Sequence, residues 1–407
     1  MQIQLFALLL INSLLTLNIG HGCETKLPLL TVDNFEYEGA FTLSSDAYAS
    51  SSLNRADAKI AYNAARNSLF IVGNTKQQNV AEFSIPLLPK AATKTLIHSD
   101  AKPLQTFIPI LDSPQLNHSQ NIDRITGMAV INNKLFINAL KYYDARAKND
   151  HTSIVIDKSD ALDRANIKGF YSLQGAAHAA GWVSTIPEHW QGQLKGKYLS
   201  GNASNLPIAS RHSIGPSAFV IHDIDFLDKA PSLIQTTALI DFNLKHRLNP
   251  DFYNESGKNN IWNVVSKAEY GFIIPNTKTY AVFGSSGGHH SNLGYKIKQK
   301  DGRQCPGPCA YDPNDYYNHY WLFNVDDMVL ALEGKKLPHQ IRPYEYGKFK
   351  VPFDRRIKPN KKQVFNPITG GAYDHRSSTL YLALKNAHQT NQFKISPIIV
   401  AYKVSLK

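Results

Sequence analysis

Residues 127–140 read GMAVINNKLFINAL, and the same phrase returns as IAYNAARNSLFIVGN from Ile60, GFIIPNTKTYAVFGS from Gly271 and GGAYDHRSSTLYLAL from Gly370. Each copy is an apolar strand, a polar turn of Asn, Asp, Lys or Thr, and a second strand. Two such strands joined by a tight turn make a hairpin whose apolar residues suit a sheet covered on both faces. A further strand follows each copy: NVAEFSIP at Asn79, HTSIVI at His151, YWLFNV at Tyr320 and PIIVAYKVSL at Pro397. Recurring four-stranded meanders of this kind predict a β-propeller. With about 45–55 residues per blade, the chain predicts an all-β, single seven-bladed propeller of four-stranded antiparallel blades, six or eight being the neighbouring counts. FEYEGAF at Phe35 would complete the sheet of the C-terminal strand and close the ring by N- and C-terminal strands. A two-sheet sandwich is the main rival, and it leaves the recurrence unexplained. Amphipathic helices are scarce; Asp326 to Glu333 is the only fair short one.

The first 22 residues carry no charged side chain and an apolar run from Leu5 to Ile19, the length of a signal-peptide core and short of a membrane span. The expected organisation is therefore a signal peptide over 1–22 and one domain over 23–407, secreted, with lipid anchoring at Cys23 the lesser alternative. The formal net charge of +12 selects an acidic partner, whether nucleic acid, anionic lipid or acidic polysaccharide. Three cysteines are too few for a disulfide framework. Two of them stand in CPGPC, Cys305 and Cys309, flanked by His289, His290 and His319. Two thiolates and two imidazoles suffice for a tetrahedral zinc ion, and the same Cys-Pro-Gly-Pro-Cys turn permits a local disulfide.

In a propeller, the loops leading into inner strands and those joining second to third strands share one face. That geometry selects His118, Arg124, Asn138, Tyr142, Tyr143 and His151 from the second copy. Tyr198, Arg211 and His212 come from the segment around Gly201. Basic, phenolic and imidazole side chains around one channel would bind an acidic ligand and move protons. Each also has a plainer reading: a loop histidine at a strand end, a core tyrosine, an arginine pairing a neighbouring blade's carboxylate or carbonyls.

INALKYYDA at Ile137, GWVSTIPEHWQ at Gly181, LPIASRHSIGPSAFV at Leu206, NHYWLFNVDDM at Asn318, RPYEYGKFKVPF at Arg342 and ITGGAYDHRSSTLYLA at Ile368 resemble the ulvan lyases, secreted seven-bladed polysaccharide lyases. The resemblance implies β-elimination at a uronic acid of an anionic, sulfated polysaccharide. It implies a site of two histidines, a tyrosine and an arginine, and a structural zinc with no cofactor at the chemistry. Residue by residue it points to Arg211, Tyr198, His151 and either His118 or Asn138 as catalytic; Arg124, Tyr142 and His212, picked by the shared loop face, are expected to bind substrate. For zinc it points to His290, Cys305, Cys309 and His319. The expected partner is the polysaccharide, with no nucleic acid, no membrane span and a monomeric enzyme. A non-catalytic propeller that binds acidic glycans is the alternative. A hydrolase, which wants two carboxylates across its site, is the third reading.

Overall fold

A computed structural model describes residues 27–88, 96–97, 101–118, 120–203, 206–222, 233–357 and 363–406. The expected signal peptide and Cys23 lie outside the described residues. The fold is an all-β propeller, but of five blades; the expected seven is corrected. Blade 1 runs Ile60–Asn63, Ser68–Val72, Val80–Ser84 and Pro103–Ile108. Blade 2 is Arg124–Ile131, Lys134–Leu140, His151–Ile156 and Ile167–Leu173; blade 3 is Trp182–Thr185, Tyr198–Gly201, Ala218–Ile221 and Thr236–Ile240. Blade 4 is Lys267–Ile273, Thr279–Gly287, Tyr316–Asn324 and Glu345–Lys348. Blade 5 takes Ile368–Asp374, Thr379–Gln389 and Ile395–Val404 from the C-terminus and Phe35–Thr42 from the N-terminal part, closing the ring as expected. The first strands of successive blades pack side by side around the axis, and blade 5 returns to blade 1.

The four copies of the recurring phrase are the first hairpins of blades 1, 2, 4 and 5. Blade 3 lacks the phrase because helix Glu188–Leu194 occupies the place of the tight turn between its first two strands. The blade count was overestimated because length was assigned to blades that the chain spends on connectors. Two long ones, 241–266 and 288–315, serve blade 4 alone. The other α-helix among the described residues, Val325–Leu332, matches the expected short one within a residue, and the Asn324 side chain caps it by accepting from the Asp326 N–H at 3.0 Å.

Packing explains how five sheets fit a narrow ring. The core lies in slabs between blades: Phe70, Val72, Ile125, Leu135 and Ile137 fill the space between blades 1 and 2, and Phe41, Ile60, Ile71, Ala383 and Ile399 that between blades 5 and 1. At the axis the backbones approach too closely for side chains. A Cβ on Gly127 would stand 2.0 Å from the Gly181 carbonyl oxygen, and one on Gly370 would stand 2.6 Å from that of Ala58. Glycine in these inner strands is required by close approach of neighbouring chain segments.

Candidate active site at the mouth of the central channel

The antiparallel meander puts the start of each first strand beside the end of the second. In blade 2, Arg124 faces Leu140, so the connector into the blade and the 141–150 loop lie at one end. This face holds most of the expected residues but does not gather them at one point. Arg211 is 4% exposed; its guanidinium pairs with Asp144 at 2.5 Å and donates to the carbonyls of Asp144 and Asn149 at 3.4 and 3.3 Å. Burial pulls its pKa down while Asp144 opposes that shift. The arginine thus spends its donors tying the blade 3 loop to the blade 2 loop. Breaking a buried pair from one side costs roughly 3 kcal/mol or more. Arg211→Ala is therefore expected to lower stability by that order in denaturant titration, with turnover per folded molecule retained.

Tyr198 sits at the other end of blade 3, opposite Thr185, and burial raises its pKa, which disfavours a role as base. Arg211 and Tyr198, expected in one site, are at opposite ends of one blade, and that pairing is corrected. Asn138 is fully buried, donating to the Gly181 carbonyl at 3.0 Å and accepting from Ser153 Oγ at 2.9 Å, so it joins blade 2 to the connector into blade 3. His118 packs edge-on against Phe170 of the outermost blade 2 strand, away from the axis. His151 is exposed on the rim, its Nδ1 2.7 Å from both Asp150 Oδ1 and Gln120 Nε2. His212 is buried, its Nδ1 3.0 Å from the Ser213 carbonyl, and burial pushes its pKa down to about 4.

The expected zinc ligands are not brought together. Cys305 and Cys309 form a disulfide, the second of the two forms the CPGPC turn permits. His290 Nε2 lies 3.3 Å from Lys348 Nζ, and His319 Nε2 lies 3.2 Å from the Asn260 carbonyl. Among the described residues no three His, Cys, Asp or Glu side chains are grouped to hold a metal ion. With both thiols bonded to each other, this residue set does not fit zinc.

What does converge is a charged cluster at the channel mouth. Lys59, at the head of blade 1, pairs with Glu269 in the first strand of blade 4. Blades 1 and 4 are not neighbours in the ring, so this ion pair reaches past blade 5's inner strand. Asp57 accepts from Lys385 Nζ of blade 5 at 2.6 Å and pairs with Arg124 of blade 2 at 3.3 Å. These two cations hold the Asp57 carboxyl below its usual range although burial pushes the other way. The Arg124 guanidinium lies 4.8 Å over the ring of Tyr142, whose phenol is well exposed, and Arg124 Nε has no partner among the described residues. The expected pair of Arg124 and Tyr142 is thus a contiguous cation and aromatic face at this mouth.

Lys267 completes the cluster. It makes no ion pair among the described residues, although its side chain reaches water. The surrounding protein, with Lys385 and Lys59 adding repulsion, lowers its pKa from the ordinary lysine value against the pull of Glu269 and Asp57. A water-accessible amine so enclosed is a proton acceptor in waiting.

A groove of about 730 Å³ continues from this mouth between blades 1 and 5, lined by Arg55, Lys76, Arg356, Lys385 and Phe393 among others. Lys385 belongs to both the groove and the axial cluster, so the two are continuous.

Sequence reasoning missed Asp57, Lys59, Lys267, Glu269 and Lys385. A signal was present: Asp57-Ala-Lys59 and Lys267-Ala-Glu269 set charges two residues apart at the head of otherwise apolar inner strands.

No protein-family model matches the chain, and no curated protein matches it in sequence. Among solved structures it is similar to a provisionally assigned glycosidase from Bacteroides thetaiotaomicron (9% identity, 93% of this chain and 98% of that one, TM-score 0.40). It is similar also to the catalytic domain of the GH62 α-L-arabinofuranosidase of Coprinopsis cinerea (9% identity, 91% and 98%, TM-score 0.38). A third is a luciferin-regenerating enzyme (7% identity, 87% and 93%, TM-score 0.33).

Proposed function

We propose that this protein binds an anionic polysaccharide along the Arg55–Lys76–Arg356–Lys385 groove and cleaves it at the channel mouth by β-elimination at a uronic acid. The observation that carries this reading is the axial charge cluster, in which Lys59 pairs with Glu269 and Asp57 with Lys385 and Arg124, with the exposed Lys267 two residues before Glu269 in the same inner strand. Elimination needs the sugar carboxylate's charge offset, the C5 proton removed and the O4 leaving group protonated. Arg124, paired with Asp57 but with its side chain about a quarter exposed beside the Tyr142 ring, can turn that exposed part to a sugar carboxylate, which a guanidinium recognises through charge-assisted hydrogen bonds. Neutral Lys267 takes the C5 proton, the C4–C5 double bond forms as the C4–O4 bond breaks, and the same amine returns the proton to O4. Lys59 and Lys385, each held by a carboxylate, keep the neighbouring potential positive and the amine's pKa low.

The test is incubation with a panel of uronate-containing polysaccharides, sulfated and unsulfated. Elimination yields one ultraviolet-absorbing unsaturated uronate per new reducing end. A second reading, hydrolysis, is favoured by Asp57 and Glu269 standing at the same mouth; it yields reducing ends without that absorbance. Binding with neither product would leave only a glycan-binding propeller. Arg124→Ala is expected to raise KM by about tenfold or more, the loss of one charge-assisted contact, and to weaken the salt dependence of KM. Initial-rate kinetics at two ionic strengths check this.

A further inference from the structure

The channel has a second opening, and its chemistry differs from the first. A cavity of about 410 Å³ lies at the end of the ring where the first hairpins turn, opposite Lys59, Arg124 and Lys267. All five inner strands contribute to its wall. Tyr62 and Tyr373 line it, each backed on one side by another ring: Tyr62 stacks on Tyr381 with centroids 6.0 Å apart, and Tyr373 stacks on Phe272 at 4.5 Å. Between them stand Asp374, which accepts from the Arg376 N–H at 3.0 Å and from Ser377 Oγ, and the exposed Arg376. Across the cavity, Ser184 is 5% exposed and its Oγ has no hydrogen-bond partner among the described residues. Next to it Thr185 ends the blade 3 inner strand and is exposed.

A buried hydroxyl without a partner is costly unless something completes it. Ser184 belongs to the wall of a concave space within the range of small-molecule sites. We infer that this cavity is a binding site for an uncharged, hydroxyl-rich ligand of monosaccharide to disaccharide size. The partly exposed ring of Tyr62, backed by Tyr381, offers a platform for the C–H face of a pyranose ring. Asp374, Arg376 and Ser184 Oγ offer acceptor and donor groups for its hydroxyls. Asp374 and Arg376 offset each other and burial pushes the pKa of the adjoining His375 down, which selects a neutral ligand where the opposite mouth selects an anionic one. This site stands independently of the cleavage reaction proposed above.

The experiment is saturation-transfer NMR and calorimetry on the full chain with methyl glycosides of glucose, galactose, mannose, xylose and rhamnose, and with cellobiose and lactose. At least one is expected to bind with a millimolar or tighter dissociation constant. Thr185→Trp, which fills the opening, should weaken it at least tenfold. Ser184→Ala should weaken it about threefold to tenfold, the loss of one hydrogen bond, and serves if the larger substitution fails to fold. Lys267→Met at the opposite mouth should leave this binding unchanged. The inference is overturned if none of these sugars binds, if both cavity variants bind like the unmodified chain, or if Lys267→Met abolishes binding.

Discussion

Lys267→Met is expected to lower kcat by about 10²–10⁴-fold, the usual contribution of a positioned acid–base group, while far-ultraviolet circular dichroism stays unchanged. Two further readouts separate this role from a merely structural one. Lys267→Arg keeps the positive charge but cannot give up its proton at working pH, so it should be as inactive as the methionine variant. In the unmodified protein, kcat/KM should rise with pH as Lys267 deprotonates, with its midpoint below the ordinary lysine value of about 10.4, because the surrounding protein and the adjacent Lys385 and Lys59 disfavour the ammonium. The sign follows from the active form being the neutral amine: activity is present above the lowered pKa and lost as pH falls through it. A lysine-to-arginine variant with wild-type turnover would remove Lys267 from the chemistry.

The second large effect is acid lability. His212 and His289 are held down to about 4 and His319 to about 3, in each case first by burial. His319 is packed against Trp321 with ring centroids 4.6 Å apart, and His289 lies 2.8 Å from Ser286 Oγ. In the unfolded chain these imidazoles titrate near their ordinary pKa of about 6.5. Above that value both states are neutral and the histidines contribute no pH dependence. Below it the unfolded chain binds protons that the folded chain refuses, so stability falls as pH drops from about 6.5 toward 4. Three such groups together amount to a loss on the order of 5–10 kcal/mol, comparable to the whole stability of a typical domain. Urea titrations across this range should show it. His319→Phe should flatten the pH slope by about 1.4 kcal/mol per unit, one proton fewer; an unchanged slope would mean that His319 is protonated in the fold.

Much of the architecture was readable from residue order. The alternation of apolar strand, polar turn and apolar strand at Ile60, Gly127, Gly271 and Gly370 marks the first hairpins of four of the five blades. Closure by Phe35–Thr42 against the last strand followed from the same pattern. The site was legible only in part. Arg124 and Tyr142 were expected together because they lie beside a recognised hairpin, and the structure sets them 4.8 Å apart at one end of blade 2. Arg211 and His212 were found on the correct face, but side-chain type does not say whether a cation meets solvent or a neighbour's carboxylate. Asp144 supplies that carboxylate from another blade, 67 residues away.

The sequence by itself determined the class of the fold, the hairpin unit and the ring closure, because these rest on local periodicity. Only the tertiary structure decided the number of blades, the pairing of Cys305 with Cys309, and which charges meet at the axis. The disulfide depends on how the 288–315 connector folds back on itself, and the blade count and the axial charges on how tightly glycine-bearing strands close around the axis. That closure sets Lys59 of blade 1 against Glu269 of blade 4, a contact between residues whose separation along the chain carries no trace of it.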